Sequence, residues 1–197
     1  MLPATDFIDA YMRALGRRYY VGLLSAAELW GAAHQRPQTF QVVVDKNIAD
    51  KDFGRVKLRF YTANRAGRVP VAQRASVAAS FLVSSPPVTL LDIADRPREC
   101  GGVNNVATVA HELVDEQKPT GPDLAAAAAD FPAAAARRLG WLLTHTGADI
   151  DLRPLRELSA RHPTKRSTTY LDPTGPRAGA TDRTWQIIIN TEVEADL

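Results

Sequence analysis

At 197 residues, 45% hydrophobic and 23% charged, the chain can bury one substantial core, which excludes a disordered or low-complexity polypeptide. A formal charge of +2 is too small to indicate nucleic acid by itself, although arginine greatly outnumbers lysine. The single cysteine, Cys100, excludes a disulfide framework, the start lacks a basic and apolar leader, and no run approaches the ~18 apolar residues of a membrane span, so a soluble cytoplasmic chain without membrane contact is expected.

In chain order, residues 5–15 read as a helix capped by Thr5, with Phe7, Ile8, Tyr11 and Leu15 on one stripe and Gly16 ending it. The apolar stretch Tyr19, Tyr20, Val21, Leu23 and Leu24 leads into Ser25-Ala26-Ala27-Glu28, a capping-box pattern that opens a second helix to about Ala33. A helix-turn-helix fits poorly, because the connection 16–24 is too long and too hydrophobic. Residues 34–37 break the helix, and 40–44 form a β-branched strand followed by a polar loop over 45–54. Residues 55–61 alternate, with Val56, Leu58 and Phe60 on a buried side and Arg55, Lys57, Arg59 and Tyr61 on a wet one. A strand near 69–73 lies within the connecting region 67–79.

Residues 82–113 are the segment around which the rest of the chain is arranged. Phe81, Leu82 and Val83 end a strand, Ser84 and Ser85 offer a cap, and Pro86 sits at a first helical position. Val88, Leu90, Leu91 and Ile93 give an apolar helix that stops near Arg96, since Pro97 cannot continue it. Gly101 and Gly102 form a joint, after which Val103, Val106, Ala107, Ala110 and Val114 recur at helical spacing to about Glu116. Cys100, beside this joint, reads as a packing residue. Pro119, Gly121 and Pro122 make a rigid connection, the alanine run 125–129 a further helix, and 133–143 another that closes near Gly147. Asp151 caps a last helix with Leu152, Leu155 and Leu158 on one face. Residues 162–183 are turn-rich with a short strand at 169–171, and WQIIIN at 185–190 reads as a strand returning to the sheet. The expectation is an α+β fold: a mixed β-sheet with packed helices and a helical C-terminal half, divided into a sheet-containing core 1–117, a helical layer 118–168 and returning strands 169–197.

Reaction chemistry is largely missing from the pattern. Asp149-Ile150-Asp151 has the spacing of a metal-binding acid pair but lacks the upstream Gly-Ser turn that a nucleotidyltransferase needs, and Asp151 serves better as a cap. Asp45-Lys46 has the wrong spacing for a nuclease, and His111-Glu112 has no second histidine four residues on. No catalytic, cofactor-binding or metal-ligating residue is therefore assigned, no cofactor is expected, and a binding protein is. Its candidate contacts to an acidic partner or to nucleic acid are Arg137, Arg138, Arg153, Arg156, Arg161, Lys165 and Arg166, with Arg17, Arg18, His34 and Arg36 as a second group.

Two stretches carry a resemblance: YYVGLLSAAELWGAAHQRPQTFQVVV at 19–44, and the run Val83, Ser85-Pro86, Thr89-Leu90-Leu91-Asp92, Arg96-Pro97 and Gly101-Gly102, with weaker similarity over 137–143 and 170–190. Together they resemble the C-terminal domain of AbiEi antitoxins. The resemblance implies an antitoxin of a type IV toxin-antitoxin pair, whose functional partner is a nucleotidyltransferase toxin of the AbiEii kind. It also implies that the chain begins almost directly with the antitoxin domain, without the family's N-terminal winged helix. Two rivals remain open on the sequence alone: a nucleic-acid-binding regulator of its own operon, and an enzyme acting on the toxin or its RNA target.

Overall fold

The computed structural model describes residues 2–32, 38–161 and 168–197. The chain runs α1 (Ala4–Ala14), β1 (Tyr19–Val21), α2 (Leu23–Leu29), β2 (Phe40–Val44), β3 (Lys51–Phe53), β4 (Val56–Thr62), β5 (Val71–Ala75), β6 (Ser80–Ser84) and α3 (Pro86–Asp95). After a 3₁₀ turn (Pro97–Cys100) come α4 (Val103–Gln117), α5 (Gly121–Ala128), α6 (Ala133–Thr146), α7 (Arg153–Ala160), β7 (Thr169–Tyr170), β8 (Ala180–Asp182) and β9 (Ile187–Ile189). The α+β class, the mixed sheet and the helical C-terminal half agree with the sequence reading.

Six strands form one sheet in the order β3-β4-β2-β1-β6-β5. It is mixed because β1 pairs antiparallel with β2, Tyr20 opposite Val43, and parallel with β6, Val21 opposite Val83. The two-residue period of a strand then sends neighbours to opposite faces. Tyr20 and Val43 enter the core shared with α3 to α6, whereas Tyr19, Val21, Val42 and Val44 join Ile8 and Met12 of α1 on the other side. β1 thus separates α1 from α2, and these two helices do not form a helix-turn-helix.

Helix α3 lies at the centre, with every residue from Val88 to Ala94 buried. Its boundaries follow the sequence: Ser85 precedes Pro86, and Arg96 leaves helical geometry immediately before Pro97. Gly101 and Gly102 both have positive φ, 79° and 91°, the backbone geometry that lets α4 restart at an angle. Cys100 is fully buried, and burial raises its thiol pKa, so it packs as a small apolar group.

Several local expectations are corrected. Pro3, not Thr5, stands at the N-cap of α1, and the Asp6 N–H bonds its carbonyl. The serine of the capping-box pattern is inside α2, which already starts at Leu23; Ser25 Oγ accepts from the Gln41 N–H at 3.0 Å and donates to the Thr39 carbonyl, holding helix to strand. α2 ends at Leu29, well short of Ala33. The loop 45–54 contains β3, and the strand expected near 69–73 starts two residues later. Asp151 sits one residue before the Leu152 N-cap of α7 yet still accepts from the Arg153 N–H at 3.0 Å. The C-terminal strand does not return to the main sheet. β9 is the centre of a separate sheet, parallel to β7 and antiparallel to β8. Trp185 anchors this sheet: its ring lies against Gly140 of α6, where an added Cβ would collide with it, and its Nε1–H reaches Thr144 Oγ1 at 3.1 Å.

Candidate functional site

The residues of the two resemblance stretches meet at the C-terminal end of α3. Asp92, the acid of the TLLD run, is fully buried and accepts on Oδ1 from Arg65 Nη2 at 2.8 Å and from the Tyr20 hydroxyl at 3.2 Å. The same Arg65 nitrogen reaches Asp95 Oδ2 at 3.0 Å, and its guanidinium lies 4.0 Å above the Phe131 ring. Arg65 comes from the loop after β4, Tyr20 from β1 and Phe131 from the break before α6, so the cluster joins sheet and helices. Gly22 belongs to it sterically, because a Cβ there would stand 2.9 Å from Val43 and 3.1 Å from Asp92 Oδ2.

Burial pushes the Asp92 carboxyl up to about 6, against the pull of Arg65 in the other direction. Burial also works against the Arg65 charge, but Asp92, Tyr20 and Asp95 outweigh it and the guanidinium is held above its ordinary value. With side-chain exposures of 7% for Arg65 and 0% for Asp92, these groups are closed to a substrate. They form an interior ion network that fixes the packing of α3.

Two more polar side chains hold the same region. Arg138 of α6 donates to three backbone carbonyls: Ala94 at the end of α3, Tyr170, and Leu171 at 2.8 Å. Positive charge at a helix C-terminus complements the exposed carbonyl dipoles there. Gln41 of β2 accepts from the Leu24 N–H and donates to the Glu99 carbonyl, both at 2.9 Å, tying α2 to the 3₁₀ turn.

The predicted contact residues divide. Arg137 and Arg138 are corrected as surface contacts: they are 2% and 4% exposed. Arg137 binds Thr169 Oγ1 at 3.3 Å and Gln186 Oε1 at 3.2 Å, so both arginines fasten the small sheet to α6, and burial lowers both, Arg138 to about 10. Arg17 is half-buried, while Arg18 is exposed, 3.4 Å from Asp45, with its stem over Gly67. Arg153 and Arg156 of α7 and Arg161 at its C-cap are exposed, but Arg153 grips Asp151 through Nε and Nη2, both at 2.9 Å, and holds that carboxyl down at about 2. His34, Arg36, Lys165 and Arg166 lie outside the described residues. The basic face of β4 is matched by acids, Arg59 at 3.5 Å from Asp50 and Lys57 at 4.0 Å from Asp52. Among the described residues no three His, Cys, Asp or Glu side chains gather as a metal site, and no helix is long and apolar enough to cross a membrane.

Sequence reading missed the ion network, although one signal was present. Asp92 stands between Leu91 and Ile93 and one turn after Val88, an apolar setting in which a carboxylate requires a buried donor. The partner, Arg65, is 27 residues away and carries no local mark.

The crystal structure of the RV2827C protein from Mycobacterium tuberculosis matches 92% of this chain with a TM-score of 0.64 at 17% identity, a likeness of fold; this chain spans 66% of that one. No curated protein matches the chain. The family model for the AbiEi antitoxin C-terminal domain matches residues 20–145, more than half of the chain, from Tyr20 of the ion network to the end of α6. With its fold and its motif residues in these places, the chain belongs to the AbiEi antitoxin C-terminal domain family.

Proposed function

We propose that this chain is the cytoplasmic antitoxin of a type IV toxin-antitoxin pair, opposing a nucleotidyltransferase toxin, and that it works as a binding module without a reaction centre. The parts 1–117, 118–168 and 169–197 act together in this reading as one AbiEi-like unit. The observation that carries it is the use made of two residues of the resemblance, Tyr20 and Asp92: they are buried and joined to each other and to Arg65, which also reaches Asp95. What the toxin or its target meets is then the outer surface of a stable scaffold. Coexpression with the toxin encoded beside it tests the reading: growth is restored by the full chain, and failure of a folded, abundant chain to restore it removes the proposal.

A second reading, a nucleic-acid-binding regulator, is supported by the exposed Arg156 of α7 and Arg161 at its C-cap. The stripe is diluted by Glu157, exposed beside Arg156, and by the capture of Arg153 by Asp151. Phosphate contacts there would give an affinity that falls steeply with salt, so an electrophoretic shift at low salt decides it, and absence of binding there removes it.

A further inference from the structure

The two edges of the main sheet are built differently. β3 is three residues long and carries Lys51 and Asp52, while its Phe53 packs edge-on to Phe7 of α1 at 6.0 Å. Short length and charge are the usual protection of a sheet edge. β5 is less protected: it is five residues, VAQRA, with no proline and a single charge. That charge is drawn back onto the sheet, because Arg74 donates to the Leu29 carbonyl at 2.9 Å and its guanidinium stands 4.9 Å over the Trp30 ring. Val71 is 40% exposed, and Val77 at the tip beyond β5 is fully exposed.

The hydrogen-bond phase of β5 fixes which backbone groups face outward. The Ser85 N–H bonds the Pro70 carbonyl and the Ser76 N–H bonds the Ala79 carbonyl, so the even-numbered residues of this antiparallel pair exchange bonds with β6. The N–H and C=O groups of Val71, Gln73 and Ala75 therefore point away from β6, and no hydrogen bond to them occurs among the described residues. Three donors and three acceptors at a two-residue spacing form an open template.

We propose that β5 pairs with β5 of a second copy of this chain, antiparallel across a two-fold axis at Gln73, joining two sheets into one of twelve strands. The segment complements itself in this register. Val71 meets the partner's Ala75, Gln73 meets its own counterpart, and the six outward groups of each strand are matched in reciprocal pairs. Each Arg74 lies opposite a small neutral residue, the partner's Ala72, so no like charges face each other. A parallel arrangement in register would set arginine against arginine. The contact is a strand edge flanked by the valines, so the dimer belongs to the weak, transient class of interface. This inference is independent of the antitoxin reading.

The test uses the full chain in analytical ultracentrifugation over a concentration series reaching about 1 mM, the weak limit of specific association. The wild-type chain is expected to show a concentration-dependent dimer. Gln73→Lys, an exposed position whose change sets two ammonium groups on the axis, is expected to weaken dimerisation at least about tenfold. Circular dichroism of this variant reports whether the fold is kept. A second variant does not depend on charge: Gln73→Cys places thiols at a pair whose Cα atoms are about 5.5 Å apart, within disulfide reach, so mild oxidation yields a covalent dimer, whereas Asp52→Cys on the other edge does not. A wild-type chain that stays monomeric throughout, a dimer insensitive to Gln73→Lys, or equal crosslinking from both edges overturns the proposal.

Discussion

Replacing Arg65 by methionine removes one partner of a buried ion pair and keeps most of the side-chain volume. In the wild-type chain the charge of Asp92, at 0% exposure, is met by Arg65 at 2.8 Å and the Tyr20 hydroxyl at 3.2 Å. With Arg65→Met the carboxylate keeps the tyrosine alone, and loss of one member of a buried pair costs about 3–5 kcal/mol. Loss of the cation over the buried Phe131 ring adds roughly 2 kcal/mol, the size for a desolvated pair, and does not depend on pH. The pH dependence follows from the sign of the Asp92 shift. Its folded value, about 6, exceeds the unfolded value of ~3.9, so the folded state binds the extra proton between these limits and the Asp92 contribution falls as pH rises through that window. Without Arg65 the folded value rises further and the fall continues to higher pH. Urea unfolding of wild type and variant at about pH 5 and about pH 8 is expected to show the larger loss at the higher pH, with most of the charge penalty gone at the lower. Arg65→Met together with Asp92→Leu removes both charges and recovers much of the loss. A loss that is equal at the two pH values, or below about 1 kcal/mol as for an exposed pair, would contradict the reasoning.

Gly140→Ala drives a methyl group into the Trp185 ring, and overpacking of this kind costs typically ~1–3 kcal/mol; near-ultraviolet circular dichroism should register the displaced tryptophan. Arg138→Met leaves three backbone carbonyls without their donor, a loss on the order of 3 kcal/mol, and hydrogen exchange is expected to quicken at residues 169–190 before the six-stranded sheet opens. On α7 and at its C-cap, Arg153→Ala, Arg156→Ala and Arg161→Ala together should leave the urea midpoint nearly unchanged, since all three are exposed; a nucleic-acid shift that survives this triple change would exclude α7 as its contact surface.

Much of the fold could be read from the sequence because prolines and glycines mark its boundaries. Pro86, Pro97 and the Gly101-Gly102 pair delimit α3 and the start of α4, and Gly147 closes α6 in a left-handed cap. What escaped was set by tertiary contact. Ser25 has the local pattern of a cap, but Gln41 and Thr39 of the neighbouring strand claim its hydroxyl. Lys-Asp-Phe at β3 has little strand propensity and is paired through the hairpin closed at Gly54, φ 75°. The apolar run at 187–189 announces a strand without saying which sheet receives it, and the Trp185 notch on Gly140 settles that in space. Arginine is mostly exposed in proteins, which is why Arg137 and Arg138 read as contacts; their carbonyl, hydroxyl and amide partners come from residues more than 30 positions distant.

The central claim is that the buried polar network around Asp92 builds the scaffold while the outer surface opposes the toxin. Growth of cells expressing the neighbouring toxin, with either the wild-type chain or the folded variant carrying Arg65→Met and Asp92→Leu, measures this directly. Growth restored by both chains is the predicted result. Restoration by neither, or loss of protection in a double variant that remains folded and abundant, would contradict it.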